Sequence, residues 1–273
     1  MWSAGRMGYD RDFLGVDLPF PTTDDAGGAP AAGETLLDYV HFSVLLDHDR
    51  RLARVTGVNI DGAQLIDLGR SDDWRLDERA RAEWQAGPAV YARNDLDRGH
   101  LVRRRDPVWG DDAAAANADT FVYPNAAPQA SGFNQSKELW LGLEDHVLAY
   151  AETNDSRLSV FTAPVFGDDD PRYRGIRVPL LFWKVAAWVD DGELAAVAFL
   201  LDQSPVLDRG ELERPVTAGP PPLGPFRTFQ VAVTRIESLA GVDLGSLAAA
   251  DRLPAAVGVR STRPLASLAD IVL

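Results

Sequence analysis

Three short segments in the middle of the chain carry residue types that could hydrolyse a phosphodiester bond. The first is Asp97-Arg98-Gly99-His100, the second runs from Asn125 to Gln129, and the third runs from Asn134 to Glu144. Such hydrolysis needs a base for the attacking water, positive charge for the phosphate oxygens and a stabiliser for the departing alkoxide. A histidine with an ordinary pKa of about 6.5 can be the base, because it is mostly neutral at physiological pH. Arginines, or Mg²⁺ bound by amide and carboxylate oxygens, can meet the other two needs.

The pattern around these segments indicates an α+β fold with a largely antiparallel central sheet. Two hairpins are predicted: Tyr39–Leu46 with Leu52–Ile60, and Leu180–Val189 with Leu194–Leu201. A helix is predicted from about Gln135 to Thr153, since apolar residues recur there at three- and four-residue spacing. The remaining predictions are a short surface helix within 71–85, a helix at 113–119, strands at 120–123, 158–163 and 229–233, and a helix at 235–239.

The order of these motifs resembles that of the DNA/RNA non-specific endonuclease family, whose endonuclease G-like members have a ββα-metal active site. The resemblance begins with the Asp-Arg-Gly-His signature at 97–100 and covers roughly residues 35–250. It implies a ββα-metal nuclease fold, hydrolysis of both DNA and RNA, and a requirement for Mg²⁺, for which Mn²⁺ can substitute. Further blocks that look like those of the family are Thr120-Phe121, Asn125, Pro128-Gln129, Phe133-Asn134-Gln135, Trp140–Glu144, Pro164–Gly167, Val178-Pro179, Phe182–Val185 and Arg235-Ile236-Glu237.

The resemblance also implies roles for individual residues. His100 would be the general base, and Asn134 would be the sole direct protein ligand of Mg²⁺. Glu144 would hold metal-bound water from the following helix. Arg98 would contact phosphate, and Arg70 resembles the upstream arginine that neutralises charge in the transition state.

Further residues would support this centre. Asn125 and Gln129 would orient the backbone and solvent around the site, and Asp97 would maintain the geometry of the motif. Arg103 belongs to the run Arg103-Arg104-Arg105. That run is either a substrate-facing patch or a solvated run paired with neighbouring aspartates.

The spacing from Asn134 to Glu144 departs from the family pattern, because it is slightly longer than usual. On a straight helix, ten residues at about 100° each would turn Glu144 away from Asn134 by roughly 80°. Two arrangements remain open. Asn134 lies in the loop before the helix, or a local bulge restores the alignment.

Three regions are expected along the chain: an N-terminal arm at 1–34, the endonuclease domain at 35–252 and a C-terminal tail at 253–273. Residues 21–33 are rich in Pro, Gly and Ala and predict a loose connector. Residues 203–226 predict a long irregular excursion, and the tail after Pro254 shows no clear periodic pattern.

The net charge is −14 and the pI is about 4.6, which argues against a general nucleic-acid binder. The distribution of charge qualifies this argument, because five arginines crowd residues 93–105. An alternative function is therefore a catalytically silent nuclease-like module that binds nucleic acid or another partner. The presence of His100, Arg98 and Asn134 favours the enzyme.

The chain has no cysteines, which excludes thiolate nucleophiles and cysteine-ligated zinc within it. No apolar stretch is long enough for a membrane span, so the expected partners are DNA and RNA and not a membrane. The N-terminus lacks the pattern of a secretory signal, which leaves both a cytoplasmic location and export after processing open. A homodimer or a regulatory partner is also left open.

Overall fold

The computed structural model describes residues 7–23, 30–130, 140–205, 227–253, 262–265 and 271, and for residues 140–146, 227 and 262–264 it describes the backbone alone. The helices are α1 (Pro88–Tyr91), α2 (Ala113–Asp119), α3 (Trp140–Thr153) and α4 (Val233–Ala240). The strands are β1 (Thr22–Thr23), β2 (Glu34–Tyr39), β3 (Phe42–Asp47), β4 (Leu52–Asp61), β5 (Leu96–His100), β6 (Ala126–Ala130), β7 (Arg157–Val165), β8 (Arg172–Tyr173), β9 (Ile176–Arg177), β10 (Leu181–Asp190), β11 (Glu193–Asp202), β12 (Arg227–Val231), β13 (Val242–Asp243) and β14 (Thr262–Pro264).

A large antiparallel sheet of eight described strands forms the centre, in the order β14-β12-β11-β10-β7-β4-β3-β2. Both faces of the sheet are covered, so strands such as β7 and β10 are almost wholly buried. Phe182 and Ala186 face one core with α3, whereas Trp183 and Val185 face a second core with α4. This alternation follows from the two-residue period of a strand. The predicted α+β fold with a large antiparallel sheet is confirmed.

The hairpin between β10 and β11 is as predicted. Asp190 pairs with Glu193, and the two turn residues Asp191 and Gly192 have φ angles of 49° and 84°. A two-residue turn with positive φ at both positions matches the right-handed twist of the strands, which explains the Asp-Gly sequence.

Two predicted strands are wrong in detail. Tyr39 to Leu46 is divided between β2 and β3, because His41 has a φ of 67° and forms a turn between Tyr39 and Phe42. Residues 120–123 are not a strand. Only Val122 forms an isolated bridge there, and Tyr123–Asn125 is a 3₁₀ turn.

The two ends of the described chain are more ordered than the sequence suggested. Leu18 is buried in the second core, and Tyr9 packs against that core. Residues 262–264 form β14, which pairs with β12. The division into arm, domain and tail stays a prediction, and most of the predicted excursion at 203–226 lies outside the described residues. In the part of the chain that the structure describes, no helix combines the length and apolar character needed to cross a membrane.

Candidate active site

A two-stranded ribbon of β5 and β6 carries the candidate site, with His100 at the end of β5 opposite Ala126. The preceding Gly99 has a local reason to be glycine. A Cβ atom there would lie 2.1 Å from Oε1 of Gln129, whose side chain is fully buried beneath it. Gln129 therefore packs under the motif and helps to set the position of the His100 backbone.

Asn125 fixes the chain immediately after His100. Its Oδ1 accepts a hydrogen bond from the Val102 amide at 2.8 Å, and its Nδ2 donates to the carbonyls of Val102 and Thr120, each at 3.0 Å. The Leu101 amide donates to the carbonyl of Asn125 at 3.0 Å. These contacts hold the backbone at residues 102 and 120, and the role of Asn125 in orienting the site stays a prediction.

The imidazole of His100 lies among aromatic rings and arginines. The ring of Trp74 is 4.7 Å from it, and the ring of Phe121 meets it edge-on at 5.1 Å. Nε2 of His100 is buried and has no hydrogen-bond partner among the described residues. Leaving such an atom unpaired costs on the order of 1–3 kcal/mol, so the site favours a polar ligand at this nitrogen.

The pKa of His100 is lowered from 6.5 to about 3, chiefly by burial and then by the charges of Arg70 and Arg104. Asp72 opposes these arginines by raising the pKa, and Arg98 adds a smaller lowering effect. The imidazole is therefore neutral at physiological pH, which is the form that accepts a proton.

Each of these arginines is held by a specific contact. Nε of Arg70 donates to Asp72 at 2.7 Å, and Nη1 of Arg104 donates to the Leu68 carbonyl at 2.6 Å. The guanidinium of Arg98 lies 5.5 Å from the ring of Trp74. The structure thus brings Arg70 and Arg98 to the same histidine, although they are separated by 27 intervening positions in sequence.

The loop that carries Arg70 and Trp74 is docked through Arg75. Its amide donates to the Phe121 carbonyl at 3.0 Å, and its guanidinium forms an ion pair with the buried carboxylate of Asp119 at 3.1 Å. The loop is consequently attached to the end of α2 and to the segment that supplies Phe121.

Sequence reasoning missed Trp74, Phe121 and Arg104 as neighbours of His100. The sequence held two signals for them. Trp74 is four positions after Arg70, and Arg104 lies in the run Arg103-Arg104-Arg105. Of that run, Arg103 is only 9% exposed, which excludes a fully solvated run. Asp97 is half-buried and pairs with Gln129 across the ribbon.

The structure describes only part of the expected metal-ligand set. Asn134 lies outside the described residues, and Glu144 is in the second turn of α3 with its side chain undescribed. Within the described ranges, no group of three or more His, Asp or Glu side chains forms a cation site. The Mg²⁺ ligand set, and the two arrangements of Asn134 relative to Glu144, therefore stay predictions.

A neutral, partly buried imidazole beside several guanidinium groups defines an acid–base centre suited to an anionic ester, and comparisons with known proteins agree with this class. The family model for DNA/RNA non-specific endonuclease matches residues 25–251. The chain belongs to this family, which classes it with the nucleases, a group of hydrolases.

Two relatives in sequence and one solved structure illustrate the similarity. The uncharacterized protein y4fB of Sinorhizobium fredii is 39% identical over 287 aligned positions, covering 98% of this chain and 43% of that protein. Mitochondrial endonuclease G of Homo sapiens is 28% identical over 158 positions, covering 53% of this chain and 51% of that protein. The chain thus spans about half the length or less of these relatives. A crystal structure of the EndoG/EndoGI complex superimposes with a TM-score of 0.62 at 19% identity, over 89% of this chain and 92% of the other, and supports the fold.

Proposed function

We propose that this chain is a Mg²⁺-dependent endonuclease that hydrolyses phosphodiester bonds of DNA and RNA without base specificity. The observation that carries the proposal is the buried, unpartnered Nε2 of His100 among Arg70, Arg98 and Arg104. Family membership supports the nuclease class, and the charges around the imidazole support an anionic substrate.

His100 acts in this proposal as the general base, and Nε2 takes the proton of the attacking water. A substrate phosphate lies within reach of Arg70 and Arg98, whose guanidinium groups stabilise the oxygens that gain negative charge. The phosphate also changes the base itself. Its negative charge offsets the arginines that lower the pKa of His100, so substrate binding raises that pKa and strengthens the base.

Asn134 and Glu144 are the residues that would hold Mg²⁺, Asn134 directly and Glu144 through water. When bound, the ion supplies positive charge to the phosphate and to the leaving oxygen, and Mn²⁺ can replace it. Gln129, Asn125 and Asp97 keep the ribbon in place around this centre.

Plasmid cleavage tests the proposal. Wild-type protein should nick supercoiled DNA with Mg²⁺, lose this activity in EDTA and recover it when Mg²⁺ is added in excess. His100→Ala should lower the rate of cleavage by about 100-fold or more, because a positioned base usually contributes at least that factor. His48→Ala is the matched control, because His48 stacks on Trp84 at 3.7 Å and contacts Thr35 at 2.8 Å, away from the candidate site.

Each outcome has a distinct meaning. Full cleavage by a folded His100→Ala variant would remove His100 from the role of base. Failure of the wild type to cleave DNA or RNA in Mg²⁺ or Mn²⁺ would instead favour the silent binding module. Loss of activity in both histidine variants would indicate general destabilisation, which circular dichroism would detect.

A further inference from the structure

A second cluster of arginines lies outside the candidate active site, and we refer to it as the arginine cleft. It is a cleft of about 490 Å³ lined by Asp49, Arg50 and residues 172–177. Four of its residues are arginines, namely Arg50, Arg172, Arg174 and Arg177, whereas Asp49 is its single acidic lining residue. Such a local excess of positive charge contrasts with the net charge of −14 for the whole chain.

The hairpin of β8 and β9 creates this cluster. Tyr173 pairs with Ile176, and the two turn residues Arg174 and Gly175 have φ angles of 45° and 83°. The short turn places Arg172, Arg174 and Arg177 close together in space, although each stands on a different part of the hairpin. Their proximity is therefore built into the backbone.

The guanidinium groups are positioned by neutral partners. Nη1 of Arg174 donates to the carbonyls of Ala89 and Ala92, and Nη1 of Arg177 donates to the carbonyl of Asp168 at 2.6 Å. Among the described residues, none of the four cleft arginines forms an ion pair. No carboxylate of the described residues contacts these guanidinium groups directly, and the electrostatic interaction of Asp170 with Arg50 and Arg177 offsets only part of their charge.

Arg50 gives the most specific indication of a ligand. Its guanidinium lies 5.1 Å from the ring of Phe166, and its Nη1 is buried without a hydrogen-bond partner in the described part of the chain. The nearby Asp170 is also buried, and its carboxylate accepts hydrogen bonds from the amides of Gly167 and Leu180. Arg50 also lines the cleft, so an anion held there would lie beside its guanidinium group.

The arginine cleft is linked to the candidate active site through β5. Nδ2 of Asn94 donates to the Tyr173 hydroxyl at 2.9 Å, and Oδ1 of Asn94 accepts from the Leu96 amide at the start of β5. His100 is at the other end of that strand. Six residues of extended chain reach at most about 20 Å, which is the rise of roughly six base pairs at about 3.4 Å each.

We propose that the arginine cleft binds backbone phosphates of the nucleic-acid substrate a few nucleotides from the bond cleaved at His100. This inference rests on the proposed function for the identity of the ligand. Arginine forks match phosphate oxygens in pairs, and such contacts carry no base information. The cleft thus supplies affinity for the substrate backbone in a protein whose overall charge repels it.

Binding measured in EDTA separates the cleft from catalysis. The probe is a fluorescent DNA duplex of about 30 base pairs, titrated by anisotropy over a series of salt concentrations. Arg50→Gln/Arg172→Gln should raise Kd about 10-fold or more, and each lost phosphate contact should reduce the salt slope by about 0.9. Arg172→Gln alone, at an exposed position, should give part of this effect without affecting the fold.

Arg252→Gln is the matched control for Arg172→Gln, because it also removes one positive charge, here from an ion pair with Asp190 at 2.8 Å. It should change Kd by less than about 2-fold, a change that separates general charge from a local site. Unchanged Kd and salt slope in the cleft variants would overturn the proposal. The proposal would also be overturned if the cleft variants kept DNA binding but lost binding to an acidic peptide, because the cleft would then bind an acidic protein.

The cleavage assay reports separately on the proposed function. A wild type that binds duplex through the cleft but cleaves nothing in Mg²⁺ would leave the cleft assigned and the nuclease proposal wrong. If the wild type cleaves normally and the cleft variants bind and cleave as it does, the nuclease proposal stands and the proposal for the arginine cleft is wrong.

Discussion

Replacing Trp74 with alanine should raise the pKa of His100 from about 3 towards its ordinary value of 6.5. Burial is the largest cause of the lowered pKa, and the ring of Trp74 is 4.7 Å from the imidazole. Water admitted in place of the indole would stabilise the charged form of the histidine. Arg70 and Arg104 would remain, so the pKa should stay somewhat below 6.5.

The expected change in protonation is large. At pH 5 an imidazole with a pKa of 3 is about 1% protonated, whereas one with a pKa of 6 is about 90% protonated. Stability should follow. Between pH 6.5 and 3 the unfolded wild type binds a proton that the folded state does not, so the free energy of unfolding falls as the pH falls, by at most about 1.4 kcal/mol per pH unit. The Trp74→Ala variant should lose less stability on acidification, because the pKa of His100 in its folded state lies closer to the unfolded value of 6.5.

Histidine NMR in metal-free buffer measures this directly, and the absence of one resonance in His100→Gln assigns the signal. Urea unfolding at pH 7 and pH 5 gives the stability change. Trp84→Ala is the matched control, since Trp84 stacks on a different histidine, His48. A wild-type His100 that titrates near 6.5, or a Trp74→Ala variant that leaves the pKa near 3, would refute the argument from burial.

Three further predictions concern the residues around His100. Gly99→Ala should lower the free energy of unfolding by about 1–3 kcal/mol, because its Cβ would overlap the buried Gln129. Urea denaturation measures this change, and the double variant Gly99→Ala/Gln129→Ala should recover part of the lost stability. Asn125→Ala should cost about 2 kcal/mol or more by the same measurement, since it leaves buried backbone groups unpaired, whereas Asn154→Ala, which removes an exposed bond, should cost far less. Arg70→Gln should lower kcat in plasmid cleavage by about 100-fold without abolishing duplex binding in EDTA; an unchanged kcat would exclude Arg70 from stabilising the transition state.

Much of the sheet could be predicted because its strands carry local signals. The β10–β11 hairpin combines two apolar runs with an Asp-Gly turn, and its register is the one that this turn dictates. The strand predicted at 120–123 was wrong. Phe121 and Tyr123 are apolar there because tertiary contacts bury them, and the local sequence pattern does not reveal such contacts. The strand at 262–264 was missed for a similar reason, since its pairing with β12 depends on a partner over thirty residues earlier.

The candidate site was predictable to the extent that the family motif is contiguous. Asp97 to His100 and Ala126 to Gln129 lie on paired strands, and Asn125 directly precedes the second strand, so the two motifs are neighbours in space. The depth at which His100 is buried could not be predicted in this way. It arises from Trp74, which reaches the imidazole only because Arg75 docks its loop onto Asp119 and Phe121.

The acidity of the chain no longer argues strongly against a nucleic-acid substrate once the positions of the charges are considered. Coulombic interactions at the surface are screened within about 8–10 Å at physiological salt, so a phosphate responds mainly to the charges beside it. Beside His100 those charges are Arg70, Arg98 and Arg104 against the carboxylate of Asp72. The arginine cleft is lined by four arginines and one carboxylate, Asp49. Net charge instead governs the long-range approach, where repulsion slows association and should make the rate of binding rise with added salt at low ionic strength. The equilibrium affinity should fall with salt over the same range, because local phosphate contacts release counterions. Opposite salt dependences of the on-rate and the affinity are therefore the signature of an acidic protein that binds nucleic acid through a few concentrated arginines.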